Sequence, residues 1–288
     1  MLSEALLSSI MTSLLQQSVG AHAPLGQKSP YPEEYDKSLL HPVSRQEQRA
    51  AMGFCTQKFL GFDEWNCFEL AWLNSQGMPT RACARIIIPA NSPYLPESKS
   101  VKLYLHSLNR QKFADKSQVL ALIEKDLSDI CKIPVKAELD SPYFGYLNSN
   151  LDSEYFCLDN LDIKINNYKY NSCLLKADFT QKTQEKVYSQ VFKSHCLCTG
   201  QPDWGSIFIE YSGPKISHES LLAYLISFHN HQGFSENCIE QIFVDIYNIC
   251  KPELLSVFGR FSRRGGIEIN PYRSNYLDSR PTWRLISQ

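Results

Sequence analysis

The chain repeats itself, and this repeat constrains its fold more than any other feature. Residues 102–108 (KLYLHSL) resemble residues 222–228 (LAYLISF), and residues 129–132 resemble residues 248–251. One spacing of about 120 residues relates both pairs, so we interpret the chain as two copies of one unit. Chance matching of short strings is the alternative. We predict an N-terminal arm over residues 1–50, a first unit over 51–160 and a second unit over 161–288.

The second copy shows its elements clearly. Alternating apolar residues at Ile207, Ile209 and Tyr211 predict a half-buried strand. Ser217 is a suitable N-cap for a helix, and apolar residues at helical spacing after Gly233, from Cys238 to Tyr247, predict the buried face of a second helix. Two further strands are expected, over residues 255–261 and from residue 267. This order favours an α+β fold with two helices packed on one face of an antiparallel sheet.

The first copy shows related pieces. Residues 84–88 predict a short strand that ends at Pro89, and residues 117–130 predict a helix with an apolar face. The two copies therefore agree in the kind of element that they carry.

Composition limits the classes of function. The net charge of −1 excludes a nucleic-acid binder that relies on general electrostatic attraction. The sequence contains no apolar run of about 20 residues, so we expect no contact with a membrane. Ten cysteines without a regular framework indicate a reduced, cytoplasmic protein. The apolar N-terminus carries Glu4 and no early Lys or Arg, which favours an arm over a cleaved leader.

Cys196 and Asp203 form the first candidate for chemistry. Gly200 and Pro202 mark a bend between them, which would bring the carboxyl group back toward the thiol. A thiolate is a nucleophile, and a carboxyl group can supply the proton that a covalent mechanism needs. The alternative is a small buried thiol with a structural role.

Two further segments could bind polar or anionic groups. Glu97, Ser98 and Lys99 bring together a carboxylate, a hydroxyl and an ammonium group, which suits either a pocket rim or an ordinary helix start. Residues 263–266 (RRGG) could clamp a phosphate or simply form a hairpin turn. The chain lacks a G-x-G-x-x-G motif, so a dinucleotide would not bind in the Rossmann manner.

A third group of residues could bind a metal ion. His229, His231 and Glu236 are close in sequence and could join Cys196 or Cys198 around zinc. No pair among them has an established zinc spacing, so we expect no metal.

These segments together resemble one family, the NADPH-dependent 7-cyano-7-deazaguanine reductases of queuosine biosynthesis, in their long tandem form. The resemblance covers roughly residues 25–288 and is carried by residues 97–104, 196–205, 234–238 and 263–271, with support from 35–40 and 69–74. It implies the tunnelling fold, in which each unit is an antiparallel sheet with two helices on one face.

The resemblance also implies an activity, which is reduction of a nitrile to an amine with two NADPH per nitrile. Cys196 would attack the nitrile carbon to form a covalent thioimide, and Asp203 would donate the proton. The implied binding residues are Glu97, Ser98 and Glu236 for the deazaguanine, and Ser98, Lys99, Arg264 and Gly265 for NADPH. We expect a homodimer with a small-molecule substrate and no direct contact with nucleic acid.

One departure from the family pattern keeps two alternatives open. Ser235 stands where the family usually has a histidine, and we expect it to serve as the N-cap of the second helix. His229 or His231 would be the substitutes for the missing ring. The alternatives are a zinc-dependent, cyclohydrolase-like enzyme of the same fold and a purine- or pterin-binding protein that has lost catalysis.

Overall fold

The computed structural model describes residues 4–20, 23, 31–54, 60–139, 154–276, 285 and 288. In chain order, the elements of the first half are α1 Glu4–Val19, β1 Pro42–Ser44, α2 Arg45–Ala51, β2 Leu60–Leu73, β3 Pro79–Pro89, β4 Tyr94–Pro96, α3 Ser98–Ser107, α4 Lys116–Cys131 and β5 Lys136–Leu139. The second half has β6 Phe156–Cys157, β7 Ala177–His195, β8 Pro202–Ile216, α5 His218–Ser227, α6 Ser235–Cys250, β9 Leu254–Phe261 and β10 Ile267–Ser274.

The chain divides into two units. The first comprises Met1–Gln57, Phe62–Tyr143 and Arg263–Ile269, and the second comprises Lys58–Gly61, Phe144–Ser262 and Asn270–Gln288. The boundaries at residues 50 and 160 concern the sequence repeat and stay a prediction. The region expected as an arm carries two helices, α1 and α2.

In the first unit, β2 pairs antiparallel with β3, and β3 pairs antiparallel with β5. Trp65 lies opposite Ile86, and both side chains are buried. Asp115 caps α4 by accepting hydrogen bonds from the backbone N–H groups of Ser117 and Gln118. The predicted strand at 84–88 is part of β3, which includes Pro89, and the predicted helix at 117–130 is confirmed as α4.

In the second unit the strand order is β10-β9-β8-β7-β6. All neighbours are antiparallel except the short edge strand β6, which runs parallel to β7. The predicted α+β class with antiparallel sheets is therefore confirmed. α6 packs closely on β9, because a Cβ atom at Gly259 would lie 2.8 Å from Ile239 Cδ1. A side chain at position 259 would therefore require both Ile239 and Phe261 to move.

Two details of the predicted amphipathic pattern are wrong. The strand at Ile207 is buried on both faces, because Tyr155 and Tyr188 pack on Phe208 from the side that was expected to be exposed. Tyr247 was expected on the buried face of the second helix and is instead exposed. Both errors arise from contacts distant in sequence, which periodicity does not report.

Each unit contains the same buried polar cluster. In the first unit, Asp126 on α4 accepts hydrogen bonds from Tyr35 and Tyr104, both at 2.8 Å. In the second unit, Asp245 on α6 accepts hydrogen bonds from Tyr170 at 2.8 Å and from Tyr224 at 2.5 Å. Since a buried carboxylate needs hydrogen-bond donors, each pair of tyrosines ties two segments to one helix.

Smaller features repeat as well. Ser107 and Ser227, the last residues of α3 and α5, donate their hydroxyls to the carbonyls of Tyr104 and Tyr224 at 2.6 Å. The helices α4 and α6 end on Lys132 and Lys251, the two described non-glycine residues with left-handed backbone, at φ of 59° and 50°. Such agreement supports the interpretation of two copies of one unit.

We expect that Asp245→Ala destabilises the protein by about 2–4 kcal/mol, because it removes the acceptor of the buried Tyr224 hydroxyl, at about 1–3 kcal/mol, and that of the half-buried Tyr170 hydroxyl, at less. Denaturant unfolding measures this change. Asp162→Ala, at an exposed position of the same unit, is the control and should change stability by less than about 0.5 kcal/mol. Equal effects of the two substitutions would show that the cluster does not stabilise the fold.

Candidate active site

A hairpin between β7 and β8 carries the candidate nucleophile. Ser194 lies opposite Asp203 in the strand register. The ladder continues one step further, since the N–H of Cys196 donates to the carbonyl of Gln201 at 2.8 Å. Gly200 adopts a φ of 68° at the tip, a left-handed conformation that glycine adopts without strain. The predicted bend is confirmed.

Cys196 and Asp203 are held on one hairpin with different surroundings. Residues that lie opposite each other, or two apart along a strand, project from the same face of a sheet. This pattern puts Ser194, Cys196 and Asp203 on one face. Cys196 is 2% exposed and Asp203 is half-buried. The thiol is therefore shielded from water, while the carboxyl group keeps partial access.

The Cys238 thiol on α6 lies near both this hairpin and Glu236. The sequence analysis assigned Cys238 no role. Burial is the main reason why the pKa of the Cys238 thiol is raised to about 12, and the charges of Asp203 and Glu236 contribute. The two carboxyl groups therefore lie near the same thiol. The sequence carries no local signal of this proximity, because the hairpin and α6 are distant along the chain.

The N-terminus of α6 positions Glu236. Its side chain lies in the first helical turn and is 4% exposed. Backbone N–H groups at a helix N-terminus favour negative charge there. The expected capping role of Ser235 is wrong, because Ser235 is the first helical residue and the N-cap is Phe234, which has no side-chain capping bond.

His229 and His231 occupy different environments. His229 Nε2 lies 3.0 Å from the carbonyl of Val191, and its ring contacts Trp204. His231 is 5% exposed among Tyr170 and Phe228, and burial lowers its pKa to about 4. Within the described residues, neither ring has a hydrogen bond to Cys196, Asp203 or Glu236, so a substitute role for either stays a prediction.

Backbone hydrogen bonds fix the hairpin to the loop before α6. The N–H of His195 donates to the carbonyl of His231 at 2.8 Å, and the N–H of Gly233 donates to the carbonyl of His195 at 3.0 Å. The first unit repeats this arrangement, since the N–H of Leu73 donates to Gln111 and that of Phe113 donates to Leu73. By this equivalence, Asn74 stands where the second unit has Cys196.

Glu97 begins α3 as its N-cap and is 2% exposed. Its Oε1 accepts a hydrogen bond from the N–H of Lys99 at 2.6 Å, and its Oε2 accepts one from the N–H of Ser100 at 2.8 Å. The Ser98 hydroxyl lies 3.3 Å from Oε1. Burial raises the pKa of Glu97, while these hydrogen bonds and Lys102 act against the rise. Both interpretations of this segment remain compatible with the structure, because a carboxylate has further acceptor capacity.

Residues 263–266 form a turn, as the hairpin interpretation predicted. Arg264 and Ile267 exchange two backbone hydrogen bonds across it, at 2.9 and 3.3 Å. A Cβ atom at Gly265 would lie 3.1 Å from Lys102 Nζ. In the first unit, the turn is thus brought to Lys102 of α3, a residue that sequence analysis did not assign to the cofactor.

Within the described ranges, no group of three or more His, Cys, Asp or Glu side chains could hold a metal ion. Among the same residues, no helix has both the length and the apolar character that a membrane span requires.

Comparison with known proteins supplies the context for this geometry. The family described as "Nitrile reductase, 7-cyano-7-deazaguanine-reductase N-term" matches residues 31–139, and the family described as "QueF-like protein" matches residues 202–279. A protein of Paraburkholderia xenovorans, named NADPH-dependent 7-cyano-7-deazaguanine reductase, is 46% identical over 257 residues, which cover 88% of this chain and 93% of that protein. This chain belongs to the 7-cyano-7-deazaguanine reductase family.

Further relatives in the reductase family agree. A protein of the same name from Hydrogenovibrio crunogenus is 45% identical over 269 residues, covering 92% of this chain and 96% of the relative. Among solved structures, the apo form of "archaeosine synthase QueF-Like" matches 32% of this chain and 91% of that chain, with 16% identity and a TM-score of 0.29. That likeness is too slight to bear on the fold.

The buried His231 of this family member makes stability depend on pH. Its pKa is about 4 in the folded protein and about 6.5 when unfolded. The unfolded chain therefore binds more protons between these values, and stability is lost as the pH falls from about 6.5 toward 4.

We expect His231→Phe to reduce this loss, measured as the difference in melting temperature between about pH 7 and pH 5. The more exposed His229→Phe serves as the control and should leave the difference unchanged. If His231→Phe retains the full pH dependence, protonation of His231 does not cause it.

Proposed function

We propose that this chain reduces the nitrile of 7-cyano-7-deazaguanine to the aminomethyl group with NADPH, as a step in queuosine biosynthesis. The observation that carries the proposal is the 46% identity, over 88% of the chain, to a protein of that name. The site in the second unit supports it independently, because it pairs a shielded thiol with a half-buried carboxyl group on one hairpin.

The proposed reaction begins at the Cys196 sulfur. A nitrile carbon is a weak electrophile, so covalent capture by a thiolate converts it into an imine-like group that hydride can reduce. As the S–C bond forms, one π bond of the nitrile breaks and its electron pair moves to nitrogen. Asp203 donates a proton to this nitrogen, which gives a neutral thioimide attached to Cys196.

Reduction of the nitrile to the amine then consumes four electrons. Two NADPH molecules would each supply one hydride, and one further proton completes the balance, because the first proton is already on the thioimide nitrogen. After the first hydride the S–C bond breaks, which restores the Cys196 thiolate and leaves an imine that the second hydride would reduce. Asp203 lies on the same hairpin as Cys196, where it can exchange protons with the nitrogen of the bound substrate. Its partial access to water allows it to be reprotonated.

For the deazaguanine ring, we propose Glu97, Glu236 and Ser98 as ligands. The resemblance to the family motif assigns these roles, and the chemistry agrees with them. Carboxylates accept hydrogen bonds from the N–H groups of a guanine-like ring. Both carboxylates are buried at helix N-termini, and backbone N–H groups hold that of Glu97 in one orientation.

For NADPH, we propose Ser98, Lys99, Arg264 and Gly265. The residues present suit a phosphorylated cofactor, since Lys99 and Arg264 supply cations and the turn at Gly265 exposes its backbone. Gly265 and Gly266 both have left-handed backbone, at φ of 54° and 77°, and side chains at these positions would collide with Lys102 and Glu69.

The finer fold and setting are proposals as well. We propose that both units are tunnelling-fold units, supported by the repeated Tyr–Asp–Tyr cluster and the repeated end of helices α4 and α6. We propose a homodimer in the cytoplasm that acts on a small molecule without binding nucleic acid. A reducing compartment suits a mechanism that needs a free Cys196 thiol.

We expect Cys196→Ala to abolish both turnover and the covalent adduct, because the other described thiol near Asp203, Cys238, is fully buried with a pKa raised to about 12 and stays protonated. Intact-mass spectrometry in the presence of the nitrile measures the adduct, and absorbance of NADPH measures turnover. The matched control is Cys198→Ala, two residues away, which should retain the adduct. An adduct that persists in Cys196→Ala would refute the assignment.

We expect Lys99→Ala and Arg264→Ala each to raise the KM for NADPH by about ten- to a hundredfold, since each removes a charge-assisted hydrogen bond. Adduct formation should persist in both variants because it precedes hydride transfer. Lys125→Ala, an exposed lysine on α4, is the control. Unchanged NADPH kinetics in both variants would contradict this placement.

A further inference from the structure

The first unit contains a cavity of about 320 Å³ that the proposed roles above leave largely unassigned. Its wall includes Gly265 of the proposed cofactor turn, Arg81 of β3, and Lys102 and His106 of α3. Neither Lys99 nor Arg264 lines it. The cavity therefore adjoins the proposed cofactor residues and extends beyond them.

The charges on the wall favour an anion. Arg81 and Lys102 are cationic, and Glu69 is the one carboxylate among the lining residues. Arg81 is exposed, its backbone belongs to the ladder between β2 and β3, and among the described residues no group forms a hydrogen bond or ion pair with its guanidinium. A guanidinium without a protein partner beside a cavity is suited to a phosphate, which it can bind through two N–H groups.

The same wall offers a place for a planar base. The rings of Tyr31 and His106 lie 4.6 Å apart, and buried Leu105 also lines the cavity. Asn109 lines it too, and its Oδ1 is buried with no hydrogen-bond partner among the described residues. A buried amide oxygen without a donor is costly, so a turn of the Asn109 side chain that presents Oδ1 to an N–H group of a ligand in the cavity is favoured. The amino group of adenine is such a donor.

We propose that this cavity binds the 2′-phosphorylated adenosine half of NADPH, with Arg81 on the 2′-phosphate and Asn109 Oδ1 on the adenine amino group. The inference rests on the proposed function in taking NADPH as the cofactor. It adds the residue that distinguishes NADPH from NADH, because these cofactors differ only in the 2′-phosphate that Arg81 binds.

The first test measures binding without turnover. Isothermal titration calorimetry follows adenosine 2′,5′-bisphosphate and adenosine 5′-monophosphate added to the full chain without nitrile. We expect the bisphosphate to bind at least about tenfold more tightly, and Arg81→Gln to remove that difference. Arg110→Gln, an exposed arginine of the same unit outside the cavity wall, is the matched control and should keep it.

The second test separates the two contacts by kinetics. Arg81→Gln should raise the KM for NADPH by about ten- to a hundredfold and leave that for NADH unchanged. Asn109→Ala should weaken both cofactors alike, because both carry adenine. Circular dichroism confirms that each variant is folded.

The outcomes separate this inference from the proposed function. Equal binding of the two nucleotides to the unaltered protein, or an equal effect of Arg81→Gln on NADPH and NADH, would overturn the inference. If the bisphosphate binds through Arg81 while the nitrile is not reduced, the cavity assignment holds and the proposed function fails. If the nitrile is reduced but the chain shows no preference for the 2′-phosphate, the proposed function holds and the cavity assignment fails.

Discussion

Two backbone hydrogen bonds at His195 determine the geometry of the candidate site. Its N–H donates to His231 and its carbonyl accepts from Gly233, so the tip of the hairpin is fixed to the segment that leads into α6. Cys196 follows His195 directly, and Glu236 follows Gly233 by three residues. These bonds therefore hold the Cys196 backbone in a fixed position relative to the N-terminus of α6. Backbone bonds of this kind do not depend on side-chain identity, which lets the residues around them change during evolution.

The repeat places different chemical groups at equivalent positions of one scaffold. The first unit has the same pair of backbone bonds at Leu73, and Asn74 occupies the position of Cys196. In the sequence alignment of the repeat, Lys102 corresponds to Leu222, which is buried in the core of the second unit. The first copy thus carries a cation where the second carries an apolar side chain. The second carries a thiol where the first carries an amide. Each copy therefore retains the scaffold and carries different side chains at equivalent positions.

Local signals in the sequence predicted the elements well, and long-range contacts account for the failures. The spacing after Gly233 predicted α6, and Ser217 was correctly predicted to cap α5. The alternation around Phe208 suggested an exposed face, which Tyr155 and Tyr188 cover from distant parts of the chain. The hydrogen-bond potential of Ser235 suggested an N-cap, but the helix begins one residue earlier in its register. The cavity at Arg81 could not be foreseen, because β3, α3 and the turn at Gly265 meet only in three dimensions.

The Glu97 carboxylate shows how a helix N-terminus can hold a proposed binding group in one orientation. Both of its carboxylate oxygens are held by backbone N–H groups of its own helix, so the side chain lost its rotational freedom when the protein folded. A ring that binds this carboxylate meets a group that is already oriented, and association involves no further ordering of it. This double role limits which substitutions are tolerated at position 97. Any replacement must cap α3 and also bind the proposed ring, so under this assignment substrate preference at Glu97 is coupled to the stability of α3.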